Sequence, residues 1–234
     1  MINVLSIIKI FACLIAVIVA IKGCQRWKKT KALSFKYFYQ SMVSFAIATG
    51  LMALAGFIPQ NPYLIQAILS TAEILCVVMF IYFLPLLAIL LGFEKYHRII
   101  FRLMIFLTIL FAIIYGLGFD KAAVFTYPVF GLTGIGLAAT APGFIRIVWG
   151  LLASVFIFIV TPLFIKRALR LEDLLKRKKG IFFSLGILGL SLAIFGYCFV
   201  GPYLGYYSFW KELVQGLLCL SGQTIFALGM LIEK

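Results

Sequence analysis

The chain changes abruptly at residue 165, where a long apolar stretch meets a strongly basic one. Residues 143–165 read GFIRIVWGLLASVFIFIVTPLFI, whereas residues 166–179 read KRALRLEDLLKRKK. The first stretch is long enough to cross the hydrocarbon core of a bilayer as a helix. The second carries seven of the 21 Lys and Arg residues, a pattern typical of a cytoplasmic loop in a membrane protein.

The same alternation of apolar and basic stretches recurs along the chain. Seventeen of the 21 basic residues lie in three short segments and at the C-terminal Lys234. Because basic residues collect in cytoplasmic loops, this distribution predicts both the number and the orientation of the spans. The two other basic segments contain Lys22, Arg26, Lys28, Lys29, Lys31 and Lys36, and then Lys95, Arg98 and Arg102.

The overall composition supports a membrane protein and excludes the common soluble classes. The chain has 234 residues, is 65% hydrophobic and only 12% charged, and has a mean hydropathy of +1.16. A soluble domain of this size has too little interior to bury so much apolar surface. The apolar runs do not alternate with polar residues, so they predict helices and not a β-barrel. The net charge is +14, and the basic residues lie beside the apolar runs. This arrangement indicates contact with anionic lipid headgroups and not with nucleic acid.

These patterns predict an all-α polytopic membrane protein with seven transmembrane helices in a single domain, residues 1–234. The N-terminus is expected outside and the C-terminus in the cytoplasm, in a cytoplasmic-type (plasma) membrane. A lipoprotein signal ending at Gly23-Cys24 is disfavoured, since export of Cys24 would carry the basic residues from Arg26 to Lys36 outward. The predicted spans are residues 3–21, 39–58, 64–92, 100–118, 143–165, 181–200 and 212–231.

The segment 122–141 is the ambiguous part of this topology. It is nearly uncharged, long enough to cross a bilayer and rich in glycine. The basic segments on either side of it should both face the cytoplasm, so an even number of spans must separate them. The segment is therefore expected to be a re-entrant or interfacial element on the outer side.

Glu73 is the strongest candidate for a functional side chain. It lies about ten residues into the third predicted span, roughly 15 Å from the outer end of that helix. An ionisable group at this depth is costly and points to a proton or cation site, or to a ligand anchor. The alternative is a neutral or paired carboxyl that holds helices together. Ser70 and Thr71 are close enough in sequence to hydrogen-bond to Glu73.

Three of the other polar residues inside predicted spans, Arg146, Lys9 and Gln223, are the most informative. Arg146 either extends to the outer headgroups, pairs with Glu73 or captures an anionic ligand. Lys9 is expected to extend towards the surface in the same way. Gln223, in the middle of the seventh span, is a candidate ligand contact, although such groups more often bond to a neighbouring helix.

No cofactor or catalytic group is predicted. The seventh span has no lysine that could hold retinal, and His97 is the only histidine, so a haem ligand pair and a histidine-based metal site are not expected. The five cysteines form no CxxC pair and are interpreted as small buried hydrophobic residues. The scattered acids do not resemble a catalytic constellation, so an enzyme is not favoured.

The basic segment 166–179 is interpreted as a cytoplasmic helix that continues the fifth span. Its charges are candidates for a lipid surface or for docking a cytoplasmic or membrane protein partner. Separately, small residues such as Gly50 and Gly189 predict that spans 2 and 6 are the central packing helices. The basic residues of the segment are Lys166, Arg167, Arg170, Lys176, Arg177, Lys178 and Lys179.

Two functional hypotheses follow from these residues. The first is a sensor or signalling-type membrane module, or an accessory subunit of a membrane complex, that binds a small or lipidic ligand between its helices. The second is a small proton- or cation-coupled transporter or channel in which Glu73 is the coupling site.

Overall fold

A computed structural model of the chain describes residues 4–57, 61–118, 123–129, 132–138, 143–200 and 209–231. A 3-10 turn, Glu94–Tyr96, precedes the fourth helix, and π-helical turns at Phe156–Val160 and Gly196–Val200 follow the fifth and seventh. The helices are α1 (Val4–Thr30), α2 (Leu33–Ala55), α3 (Pro62–Leu90), α4 (His97–Gly118), α5 (Gly143–Val155), α6 (Thr161–Leu169), α7 (Leu174–Phe195) and α8 (Phe209–Leu231).

Six helices of the described chain are long and apolar enough to cross a membrane. Five of them are α1, α2, α3, α4 and α7, and the sixth is the continuous rod Ile147–Leu169, made from α5, the π-helical turn and α6. The remaining predicted span corresponds to α8, whose apolar part, Leu213–Gly229, is shorter. The chain is therefore a helical membrane protein, and the predicted spans coincide with helices.

The start of α3 shows how the sequence sets a helix boundary. Asn61 accepts hydrogen bonds at its Oδ1 from the backbone N–H groups of Tyr63 (3.1 Å) and Leu64 (3.2 Å). Pro62 occupies the first turn, where its missing N–H costs nothing. The helix then continues through the buried Pro85 to Leu90.

The predicted continuation of the fifth span through residues 166–179 is wrong. Helix α6 ends at Leu169, and α7 begins at Leu174. Asp173 causes the break, because its extended backbone and its Oδ1 cap α7, accepting from the N–H groups of Leu175 (2.9 Å) and Lys176 (3.2 Å). The basic residues are thus divided between the end of one helix and the start of the next.

The described fold is helical, as predicted, apart from two short strands in the segment 122–141. Strands β1 (Ala123–Val129) and β2 (Leu132–Ala138) pair antiparallel, with Phe125 opposite Gly136 and Tyr127 opposite Gly134. Aromatic and β-branched residues favour strands, and an aromatic residue opposite a glycine is a recurrent pairing. The position of these two strands relative to the bilayer, re-entrant or interfacial, stays a prediction.

Helices α7 and α8 approach each other backbone to backbone. A Cβ placed on Gly189 would lie 2.8 Å from the Cα of Gly222, and one on Gly186 would lie 2.9 Å from the Gly222 carbonyl oxygen. Small residues permit this closeness, which maximises van der Waals contact in lipid. The close packing predicted for the span containing Gly189 agrees with this geometry. At Gly50 in α2, by contrast, an added Cβ would meet only the Cys13 Sγ, at 3.4 Å.

An aromatic cluster fills the centre of the bundle. Phe226 of α8 is 2% exposed and contacts Phe38, Phe83 and Phe183, at ring-centroid distances of 5.3, 6.4 and 4.7 Å. These rings come from α2, α3 and α7. Phe226 of α8 therefore packs against three other helices.

Candidate functional site

A cavity of about 280 Å³ lies between the helices of the bundle. Residues of α1, α2, α3, α5, α7 and α8, and of both π-helical turns, line it. Most of the lining is apolar, with an aromatic wall of Phe80, Phe83, Trp149 and Phe156. Phe80 contacts Trp149 with ring centroids 5.1 Å apart, so the wall is continuous between α3 and α5.

Two ionisable side chains face this cavity. Lys9 reaches it from α1 and Glu73 from α3, and both are half-buried. Lys9 lies about 8 Å along α1 and Glu73 about 16 Å along α3, at 1.5 Å per residue.

Gln215 of α8 adds a third polar group to the lining. Its Oε1 is buried and has no hydrogen-bond partner within the described part of the chain. A buried acceptor without a partner is uncommon and costs free energy. A donor on a bound molecule would satisfy it.

Small polar and sulfur-bearing residues complete the lining. Thr49 is not available as a donor, because its hydroxyl already donates to the carbonyls of Phe45 (2.9 Å) and Ala46 (3.1 Å). Cys76, Cys198 and Cys219 also line the cavity. Within the described residues, no group of three His, Cys, Asp or Glu residues is placed to hold a metal ion.

The structure places the predicted site residues in different environments. Glu73 lines the cavity, whereas Ser70, Thr71 and Gln223 are not among the described residues that do. Thr71 is exposed and donates to the Ala67 carbonyl (2.8 Å), so its hydroxyl is engaged within its own helix. The side chain of Arg146 lies outside the described residues, so its pairing with Glu73 stays a prediction.

Gln223 lies in the packed core beside the cavity. It is 5% exposed, and its Nε2 is 4.0 Å from the Sγ of Cys219, a residue that does line the cavity. Its Oε1 has no hydrogen-bond partner among the described residues. A helix contact and a ligand contact therefore both stay predictions for Gln223.

Sequence reasoning did not select Lys9 and Gln215 as site residues. Lys9 is the one charged residue between Asn3 and Ile21, so its isolation in an apolar run was a usable signal. Gln215 had no such signal, since it is an uncharged polar residue near the end of a span.

The basic residues predicted as a partner or lipid surface gather at one end of the bundle. Lys166, Arg167 and Arg170 lie at the end of α6, and Lys176 to Lys179 in the first turns of α7. Arg177 donates from Nε (3.0 Å) and Nη2 (2.9 Å) to the Leu171 carbonyl, which fixes the connection between the helices. The pKa of the Asp173 carboxyl is lowered, chiefly by the backbone hydrogen bond from Lys176.

No protein-family model matches this chain, and no curated protein matches it in sequence. The fold and the cavity define its class. It is a polytopic helical membrane protein with an apolar internal cavity that a lysine, a glutamate and a glutamine enter from three different helices.

Proposed function

We propose that this protein binds a small amphipathic ligand between its helices, as a sensor or signalling-type module or as an accessory subunit of a membrane complex. The observation that carries the proposal is the convergence of Lys9, Glu73 and Gln215 on one apolar cavity. Charged groups inside a bundle are expensive, and their common use is in ligand or ion sites. Binding, and not catalysis, is the activity that this set of side chains supports.

The lining restricts the chemistry of the ligand. The volume of about 280 Å³ is near the lower end for small-molecule sites, so the ligand is small. The aromatic wall favours an apolar body. Because Lys9 and Glu73 carry opposite charges, an uncharged or zwitterionic head that both donates and accepts leaves neither of them uncompensated. The Oε1 of Gln215 also favours a donor on that head.

Binding of short-chain probes tests this proposal. Octanamide, octanoate and octylammonium share an eight-carbon chain and differ in the charge of the head. Trp149 in the wall reports their binding by fluorescence, in a background where Trp27 and Trp210 are replaced by phenylalanine. We expect octanamide to bind the protein about tenfold more tightly than either charged probe, a difference of about 1.4 kcal/mol.

Single substitutions should reverse this preference in opposite directions. Glu73→Gln leaves Lys9 as the cavity's charge and should shift the preference to octanoate. Lys9→Gln should shift it to octylammonium. Thr71→Val, on the exposed face of the same helix as Glu73, is the matched control and should change nothing. If the Glu73 and Lys9 variants keep the wild-type preference, these side chains do not form the ligand site.

A proton- or cation-coupled transporter is the second candidate. The depth of Glu73 in α3 and its access to the cavity favour it, because a carboxyl at such a depth can exchange a proton with a passing ligand. In liposomes, a transporter would move the octyl probes faster under an imposed pH gradient, and Glu73→Gln would abolish the acceleration. A binding protein would leave the flux unchanged in both forms.

We further propose seven spans, with the basic end of the bundle in the cytoplasm of a plasma-type membrane. The clustering of the basic residues supports this orientation. Its test uses single cysteines in a variant that lacks the five native ones. Tyr63→Cys, at an 83% exposed position, should react in intact cells with a membrane-impermeant maleimide, whereas Lys178→Cys should react only after lysis. The reverse labelling pattern would contradict the proposed orientation.

A further inference from the structure

A second cleft, of about 330 Å³, opens at the basic end of the bundle. Its lining comes from the last turns of α1, α3, α6 and α8 and from the first turns of α2 and α7. In an up-and-down bundle these ends meet on one side. The cleft thus lies on the side that carries the basic segments, away from the end that includes Tyr63.

Three cationic side chains from three different helices line this cleft: Arg26, Arg167 and Lys179. Among the described residues that line it, none is acidic. The Arg26 guanidinium lies 6.0 Å from the centroid of the Phe35 ring. A Cβ placed on Gly92 would lie 3.4 Å from the Arg167 Nη1, so the Arg167 guanidinium lies close to the backbone at Gly92.

The depth of the cleft is apolar. Phe35, Phe38, Phe164 and Phe183 line it, together with Leu86 and Leu90. Phe38 and Phe183 both pack against the buried Phe226, so the floor belongs to the rigid aromatic centre of the bundle. Phe226 also contacts Phe83 of the first cavity, which places one layer of rings between the two sites.

We propose that this cleft is a binding site for an anionic phospholipid. The phosphate would contact Arg26, Arg167 and Lys179, and an acyl chain would lie against the phenylalanine side chains. A cationic rim over an apolar floor matches an amphiphile with an anionic head. A free phosphate ion would interact with the three cations but would make no apolar contact with the phenylalanine side chains. This inference does not depend on what the first cavity binds.

Native mass spectrometry of the detergent-purified chain tests the site with phosphatidylglycerol, phosphatidylcholine and inorganic phosphate as probes. We expect phosphatidylglycerol to bind as a discrete adduct, about tenfold more tightly than phosphatidylcholine. Inorganic phosphate should not displace it at equal concentration. Equal retention of the two lipids, or displacement by phosphate alone, would overturn the proposal.

Two triple variants with the same change of net charge separate the cleft from the general basic surface. Arg26→Gln/Arg167→Gln/Lys179→Gln removes the cations of the rim. Lys166→Gln/Arg170→Gln/Lys178→Gln removes three exposed cations that do not line the cleft. The first should weaken phosphatidylglycerol binding at least about tenfold, and the second less than about twofold. Equal losses would show that the lipid binds through surface charge in general.

A third variant keeps the test decisive if the first triple variant does not fold. Ser34→Phe places a ring in the cleft from the start of α2 and leaves all three cations in place. It should lower phosphatidylglycerol binding by occupying the space of the acyl chain. Unchanged binding in this folded variant would exclude the cleft as the lipid site.

Discussion

Replacing Gly222 by alanine should markedly destabilise the bundle, because the added methyl group has no space between α7 and α8. Its Cβ would lie 2.8 Å from the Leu190 nitrogen, 3.0 Å from the Gly186 carbonyl oxygen and 3.1 Å from the Gly189 carbonyl carbon. All three are backbone atoms, so no rotation of a side chain can relieve the contact. The helices must separate, at a cost of about 1–3 kcal/mol in the free energy of unfolding.

Thermal unfolding in a mild detergent measures this loss, and Gly50→Ala provides the matched control. The two glycines lie within predicted spans, but the Cβ at position 50 would meet only the Cys13 Sγ at an ordinary contact distance of 3.4 Å. Alanine should therefore be tolerated at residue 50, where the better helix propensity can even stabilise the protein slightly. Equal midpoints for the two variants would mean that α7 and α8 do not pack through these glycines.

Phe226→Ala should produce the largest loss of stability among single truncations in the described core. The side chain is 2% exposed and contacts rings on three other helices. Its removal loses the apolar contacts and leaves a cavity, and truncations of this kind cost about 3–5 kcal/mol. The ring of Phe226 lies closest to that of Phe183, with centroids 4.7 Å apart. Loss of these aromatic pairs adds to the cost.

The control for this substitution is Phe106→Ala in α4, where the side chain is 63% exposed on the outside of the bundle. Lipid or detergent can replace the contacts of Phe106, whereas nothing replaces those of Phe226. Phe226→Leu should recover part of the loss, because it refills much of the volume. Comparable unfolding midpoints for Phe226→Ala and Phe106→Ala would contradict the assignment of Phe226 to the centre of the core.

The position of Phe226 also links the two sites. Its ring contacts Phe38 and Phe183, which line the cleft, and Phe83, which lines the cavity. These contacts place Phe226 in the packed layer of rings between the cavity and the cleft.

Much of the helical layout could be predicted because it depends on local properties of the chain. Apolar runs of sufficient length must form helices in lipid, since the backbone has no other hydrogen-bond partner there. Glu73 was recognisable for the same reason, because a carboxyl inside such a run is costly wherever the helix packs. The helices found at these runs agree with that reasoning, and the role of Glu73 stays a prediction.

The error at 166–179 arose where a short-range interaction competed with a regular pattern. This basic segment has helical spacing, but the Asp173 side chain caps the next helix and ends the pattern. In 122–141, Phe125 and Tyr127 lie opposite glycines in a pair of strands. Both features depend on one or a few residues, too few to change the hydrophobic pattern of a whole segment.

The amino-acid order alone establishes a membrane protein, the positions of its helices and one costly carboxyl, because each depends on transfer of a local segment from water to lipid. The meeting of Lys9, Glu73 and Gln215, and of Arg26, Arg167 and Lys179, depends instead on how the helices rotate and pack. These residues are far apart in the chain, and close contact at the glycines of α7 and α8 helps to set the faces that they share. The chemistry of both sites is therefore a property of the assembled bundle.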